Sequence, residues 1–91
     1  MKEAKFLEKT AIEADRLVGT KWNSWSEFMG NRMTVEFVDH SNCVYTSKPR
    51  MYPMTYTVTG GKLFIREISR SFELRGNVLF NGDIPAFERA V

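Results

Sequence analysis

Two side chains in this 91-residue sequence stand out as candidates for covalent or acid–base chemistry, the single cysteine Cys43 and the single histidine His40. A catalytic thiol needs a neighbour that lowers its pKa, and no residue beside Cys43 in the sequence marks it as activated. His40 lies in a predicted hairpin turn, where we expect it to be solvated. One cysteine and one histidine also argue against a structural zinc site. We therefore expect no catalytic residues, no metal site, no cofactor and no enzyme activity.

A set of alternating apolar residues could instead bind a small molecule. Side chains two positions apart are apolar while most of those between them are polar, which predicts strands with one buried face. Methionine and tyrosine would make part of this face adaptable, and tyrosine hydroxyls could orient a ligand. A packed core and a partly open cavity are both consistent with the pattern. The candidate ligand-binding residues are Trp22, Met33, Val35, Phe37, Tyr45, Met54, Tyr56 and Phe72.

Three further apolar side chains lie at the end of the first predicted strand (Trp25) and in its connection to the second (Phe28 and Met29). Their connection is longer and more apolar than a solvated hairpin needs. We expect them to form either a lid over the barrel mouth or an interface with a partner or a second copy. Residues 47–53 carry two cations and two prolines and are predicted to form a solvated loop, with a rim that meets an anionic head group as the alternative.

The elements that must position these residues can be read from a change of period at Gly19. Residues 2–18 are good helix formers, which predicts an amphipathic helix that could lie against a sheet or close a barrel end. Its narrow apolar stripe, at three- and four-residue steps, is formed by Ala4, Leu7, Ala11, Ala14 and Val18. After Gly19 the period is two, and turn residues recur roughly every 8 to 12 positions. The predicted strands are residues 20–25, 32–38, 43–47, 54–59, 62–66, 69–75, 78–81 and 84–89.

These elements predict one domain, residues 1–91, with a helix at 1–18 and a barrel at 19–91. The fold class is mainly β: a small antiparallel up-and-down β-barrel of seven or eight strands with an N-terminal α-helix. Short connections rule out the crossovers of a parallel sheet, and closure removes exposed edges.

Charge and composition narrow the range of partners. Thirteen Lys and Arg against eleven Asp and Glu give a net charge of +2, too small and too dispersed to indicate nucleic-acid binding. No apolar run approaches the roughly 20 residues that cross a bilayer, and the charged N-terminus lacks a signal-peptide core. We expect no nucleic acid partner and no membrane span. The protein is then either cytoplasmic or the mature part of an exported one.

Gly19, directly before the first predicted strand, and Trp22 within it form a Gly-x-x-Trp motif, and segments such as 34–37 (TVEF), 56–58 (YTV) and 84–89 (IPAFER) come after it. The order of these features resembles that of a small bacterial lipocalin-like (calycin) domain. The resemblance covers nearly all of the chain after Arg16. Typical lipocalins have Gly-x-Trp and a longer chain. The resemblance implies a calyx for a small hydrophobic or amphipathic ligand, with Trp22 across the barrel floor and Arg89 stacked on it through a cation–π contact.

The sequence supports two hypotheses for the function. In the first, the chain is a non-enzymatic binding protein whose barrel holds a small hydrophobic or amphipathic ligand. In the second, it is a protein–protein interaction or self-associating module, such as a homodimer, with a solid core and an exposed aromatic surface. So small a barrel would gain from pairing, because a second copy would bury aromatic residues that one copy cannot cover.

Overall fold

A computed structural model describes residues 9–25 and 33–90 of the protein, with the backbone alone for Lys9 and Thr10. Its elements are β1 (Lys9–Thr10), α1 (Ala14–Leu17), β2 (Lys21–Ser24), β3 (Thr34–Phe37), β4 (Asn42–Ser47), β5 (Arg50–Thr59), β6 (Lys62–Ile65), β7 (Arg70–Arg75), β8 (Val78–Asn81) and β9 (Ile84–Arg89). Within the described part of the chain, no helix has the length and apolar character needed to span a membrane.

Strands β2 to β9 form a closed antiparallel barrel in which each strand pairs with its neighbours in sequence. The barrel closes where β2 pairs with β9, with Trp22 opposite Arg89, and the amide of Ala90 donates to the carbonyl of Lys21 at 2.8 Å. The predicted fold class is thus confirmed, with eight strands. Each predicted strand overlaps an observed one, because alternating burial requires a period of two and Gly and Asn permit the tight turns.

The up-and-down topology gives the barrel two distinct ends. The helix end carries α1 and the turns at residues 38–41, 60–61 and 76–77. The opposite end, named here the hairpin end, carries the turns at residues 48–49, 66–69 and 82–83 together with Trp25, which comes directly after β2.

The largest difference from the predicted strands is in β5, which begins at Arg50 and runs through Pro53. The prediction that residues 50–53 belong to a loop is therefore wrong. Alternate amides of a strand point to opposite edges, and the amide of Tyr56 donates to Ser41 in the direction of β4. The amide of Thr55 donates to the Glu67 carboxylate on the other side. Pro53, two residues before Thr55, lacks its amide hydrogen on that second side, where β6 pairs only from Tyr56 onward.

The predicted helix over residues 1–18 is also wrong in extent, because α1 has only four residues and Lys9–Thr10 form a strand. Pairing with β6 ends at Phe72, so the last residues of β7 keep a free edge, and β1 pairs there with Leu74 and Arg75. Glu13 is the extended residue before α1. Residues 1–8 of the predicted helix lie outside the described residues.

The interior of the barrel is filled by one cluster of apolar side chains from every barrel strand and from the segment before β2. Aromatic rings meet edge to face at its centre, with 5.0 Å between the centroids of Phe37 and Tyr56 and 5.8 Å between those of Phe72 and Phe87. Burying one such side chain contributes about 1.5–3 kcal/mol. The buried members are Ile12, Leu17, Trp22, Val35, Phe37, Cys43, Tyr56, Leu63, Ile65, Phe72, Leu79 and Phe87.

Candidate ligand-binding site

A cavity of about 380 Å³ lies at the helix end, between α1 and the barrel. This volume falls within the range of about 300–1,000 Å³ that is usual for small-molecule sites. The large apolar side chains that line it are buried or half-buried, namely Ile12, Leu17, Trp22 and Leu74, and the exposed Ala11 borders them. The polar side chains that line it are exposed: Glu13, Arg16, Asn77 and Arg89. The site therefore combines an apolar floor with a polar rim.

A chain of hydrogen bonds joins the floor of the cavity to the end of α1. The indole Nε1–H of Trp22 donates to the hydroxyl oxygen of Thr20 at 2.9 Å. That hydroxyl donates in turn to the carbonyl of Leu17 at 2.6 Å, and the Thr20 amide donates to the same carbonyl at 2.9 Å. The last carbonyls of a helix have no partner within the helix, so Thr20 supplies one here and fixes the indole at the same time.

Contacts with two neighbouring turns hold the segment before β2 over the barrel end. The amide of Ile12 donates to the carbonyl of Gly61 at 2.9 Å. On the other side, Asp15 in α1 hydrogen-bonds to the ring of His40. His40 is exposed, as predicted, and its turn is ordered by Asp39, which accepts hydrogen bonds from the amides of Ser41 and Asn42. These bonds, the one from Ser41 above all, hold the pKa of the Asp39 carboxyl below its usual value.

The rim of the cavity carries an excess of positive charge among the described residues. Arg16 and Arg89 contribute two cations and Glu13 one carboxylate. Arg16 forms an exposed ion pair with Glu13, with 3.1 Å between Nε and Oε2. Arg89 lies opposite Trp22 across the β2–β9 pair, so its side chain starts on the same face as the indole. An anionic group above the apolar floor would therefore meet at least one guanidinium, whose flat fork of donors suits a carboxylate.

The predicted ligand-binding residues lie on the inward face of the barrel or at its hairpin end. Trp22, Val35, Phe37, Tyr56 and Phe72 belong to the buried cluster, and Tyr45 and Met54 pack against it. Met33 is half-buried beside them, and its sulfur accepts a hydrogen bond from the Tyr45 hydroxyl. Of these eight predicted residues, Trp22 is the one that occurs among the described residues lining the cavity. Ligand contact by the other seven stays a prediction, since their side chains mainly contact one another.

Burial shifts the pKa of two polar groups of the interior, the thiol of Cys43 and the phenol of Tyr45. Cys43 is buried, and burial, helped by the negative charge of Glu67, raises the pKa of its thiol to about 11. Such a thiol is a poor nucleophile at neutral pH. Burial also raises the pKa of the Tyr45 phenol. Among the described residues, no group of three or more His, Cys, Asp or Glu side chains is placed to hold a metal ion.

The structure places other predicted functional residues away from the cavity. Trp25 is exposed at the hairpin end. Phe28 and Met29 lie outside the described residues, so the lid and interface predictions for them stay untested. In the described part of the chain, the cation–π contact is that of Arg75 with Phe80, at 4.6 Å from the ring centroid. Arg89 was expected to make such a contact with Trp22, but it is exposed beside the indole instead.

Sequence reasoning missed most of the cavity lining, above all Ile12 and Leu17. The three- and four-residue steps placed Ala11, Ala14 and Val18 on the buried face of a long helix. In the structure Ala11 is exposed, whereas Ile12 and Leu17 are buried. The sequence does contain a signal for their burial, because Ile12 and Leu17 are the large aliphatic residues of residues 9–17, which are otherwise rich in charged residues and alanine.

Comparison of the chain with protein-family models, with curated proteins and with solved structures gives no match. The fold and the geometry of the cavity are therefore the basis for assigning a function.

Proposed function

We propose that the protein binds a small amphipathic molecule with an anionic head group in the cavity at the helix end. The observation that carries this proposal is the pairing of an apolar floor with a rim that bears Arg16 and Arg89. A hydrocarbon or ring portion of the ligand would contact Leu17, Trp22 and Leu74. Its acidic group would lie at the rim, where solvent still reaches the guanidinium groups.

The proposed site lies at one end of the barrel because the interior is already filled. Aromatic rings in close contact, such as Phe37 and Tyr56, leave the inward face to side chains of the protein itself. The lipocalin-like resemblance, which implies a ligand in a calyx, is kept here as part of the proposal in a modified form. The ligand would lie between the barrel and α1. Trp22 would contact a ligand in this cavity, as it would in the calyx that the resemblance implies.

The proposed function involves binding without a chemical step. The buried thiol of Cys43 has a raised pKa, and the exposed His40 ring is hydrogen-bonded to Asp15. Neither group is among the described lining residues of the cavity. The rim groups are arginine, glutamate and asparagine, which would orient a ligand through charge and hydrogen bonds.

A titration with decanoate and with decanol tests the proposal, because the two differ in the anionic group and share the hydrocarbon chain. Binding is followed by tryptophan fluorescence or by calorimetry. We expect decanoate to bind more tightly than decanol, and Arg89→Gln to weaken decanoate about tenfold, since a hydrogen bond to a charged group contributes about 1.5–3 kcal/mol when protected from water and less at a rim. Decanol binding should change little.

Lys21→Gln is the matched control, since it removes one positive charge from an exposed position of β2, next to β9 and outside the cavity. It should leave decanoate binding within about twofold, because charges separated by solvent are screened. Equal weakening by Lys21→Gln and Arg89→Gln would mean that net charge alone matters. Absence of binding by both compounds would contradict the proposal.

The second candidate function is an interaction module with a solid barrel, and the packed interior favours it. Sedimentation of the pure protein over a range of concentrations distinguishes it from a ligand-binding monomer. A dimer that forms without any ligand would support this second candidate.

A further inference from the structure

The hairpin end of the barrel concentrates exposed apolar side chains. Of the six large apolar residues that are exposed in the described part of the chain, four lie at this end. Trp25 is 48% exposed and comes directly after β2, Met51 (67%) and Tyr52 (41%) lie near the start of β5, and Ile84 (70%) opens β9. Side chains of this size are costly to leave in water together, at roughly 25 cal/mol per Å² of apolar surface. Single exposed residues need no explanation, but a group at one end does.

Cations accompany these apolar residues. In the described residues of the hairpin end, Lys48, Arg50, Arg66 and Arg70 are the cations, and Glu67 and Asp83 are the carboxylates. Both carboxylates already have partners. Glu67 accepts hydrogen bonds from the amide and the hydroxyl of Thr55, at 2.7 and 2.8 Å. Asp83 lies 3.5 Å from the guanidinium of Arg75, which reaches it from the barrel wall.

The arrangement of the apolar residues points to a flat surface as their partner. They come from three different places on the rim: the end of β2, the β4–β5 hairpin and the β8–β9 hairpin. Trp25 is tied to β9 by the bond from its amide to the carbonyl of Ala86, at 2.8 Å. A groove that receives a peptide would gather its apolar residues along one line. Apolar tips that come from separate connections instead suit shallow insertion into a plane.

We propose that the hairpin end docks on an anionic lipid surface. Tryptophan and tyrosine favour the boundary between head groups and hydrocarbon, where the ring is buried and its polar atom stays hydrated. Lys48 and Arg50 come just before Met51 and Tyr52, so their charged groups can reach lipid phosphates while the neighbouring side chains insert. The helix end and its cavity would then face away from the lipid. This inference is independent of the proposed ligand, because it uses the opposite end of the barrel.

Cosedimentation of the full chain with vesicles tests the inference. Vesicles of phosphatidylcholine with about 30% phosphatidylglycerol are compared with vesicles of phosphatidylcholine alone. We expect binding to the anionic vesicles only, loss of binding in about 0.5 M salt, and a blue shift of Trp fluorescence as Trp25 leaves water. The double variant Lys48→Gln, Arg50→Gln should bind about 30-fold more weakly.

Two matched controls separate docking from a general effect of charge or hydrophobicity. Lys21→Gln, Lys62→Gln removes the same charge from the barrel wall and should bind within about twofold of the unchanged protein. Met51→Ser should weaken binding more than Val38→Ser, because Val38 is also exposed (53%) but lies at the helix end. Circular dichroism confirms that each variant is folded.

Three results would overturn the inference. The first is no binding to anionic vesicles at low salt. The second is equal weakening in the hairpin-end variants and in their controls. The third is a blue shift of Trp fluorescence that depends on protein concentration and needs no vesicles, since that result would assign the hairpin end to self-association.

Discussion

Gly61 is the position where a single methyl group most directly tests how the cavity wall is held. Gly60 and Gly61 form the β5–β6 turn with positive φ angles of 60° and 76°. An alanine at either position has to adopt a left-handed backbone, which costs about 1–2 kcal/mol. A Cβ at Gly60 would meet nothing within 4 Å, whereas a Cβ at Gly61 would lie 3.1 Å from the Cβ of Ala11 and 3.2 Å from its Cα.

The additional contact at Gly61 should displace the segment that covers the cavity. Ala11 would have to move away, and the hydrogen bond from Ile12 to the Gly61 carbonyl would lengthen or break, at a net cost of about 0.5–1.5 kcal/mol. Partial exposure of the buried Ile12 side chain adds about 1 kcal/mol. We therefore expect Gly61→Ala to lower the free energy of unfolding by about 2.5–4.5 kcal/mol, against about 1–2 kcal/mol for Gly60→Ala.

Urea denaturation followed by Trp fluorescence and by circular dichroism measures the two free energies of unfolding. Decanoate titration of both variants then measures the effect on the site, and Gly61→Ala should weaken binding more than Gly60→Ala does. Equal destabilisation by the two variants, with equal decanoate affinity, would refute the reasoning. It would mean that residues 11–12 are not seated against this turn.

The remaining predictions concern the floor and the interior. Thr20→Val should lower the free energy of unfolding by about 1–3 kcal/mol in urea denaturation, because the buried indole N–H of Trp22 loses its acceptor, whereas Thr20→Ser should retain most of the stability; equal loss in both would contradict this. Folding raises the pKa of Cys43 from 9.0 to about 11. The contribution of the buried, protonated thiol to the free energy of unfolding is therefore complete below pH 9 and is lost as the pH rises toward 11. Between pH 8 and pH 10 the unchanged protein should lose about 1 kcal/mol more than Cys43→Ala, which has no thiol to titrate; parallel pH profiles would contradict a raised pKa.

The barrel could be predicted from the sequence because burial on one face of a strand enforces a two-residue period. Val35 and Phe37 point inward while Glu36 points outward, and the same relation recurs around the barrel. The first part of β5 was missed since prolines at 49 and 53 argued for a loop. Only the structure shows that the missing amide hydrogen of Pro53 falls on the edge that faces away from β4.

The site could not be predicted because it depends on contacts between distant parts of the chain. The free edge of β7 beyond Phe72 draws Lys9–Thr10 into a strand, and this pairing shortens the helix. Local helix propensity carries no information about that edge. Trp22 was expected at the barrel floor, and it is the one predicted ligand-binding residue among the described residues that line the cavity.

The most direct test of the central claim, that a ligand occupies the cavity between α1 and the barrel, is an NMR titration of the isotopically labelled protein with decanoate. The largest changes in chemical shift are expected at the indole Nε1–H of Trp22 and at the methyl groups of Leu17 and Leu74. Changes centred instead on Val35, Tyr45 and Met54 inside the barrel, or spread evenly over its surface, would contradict the proposed site.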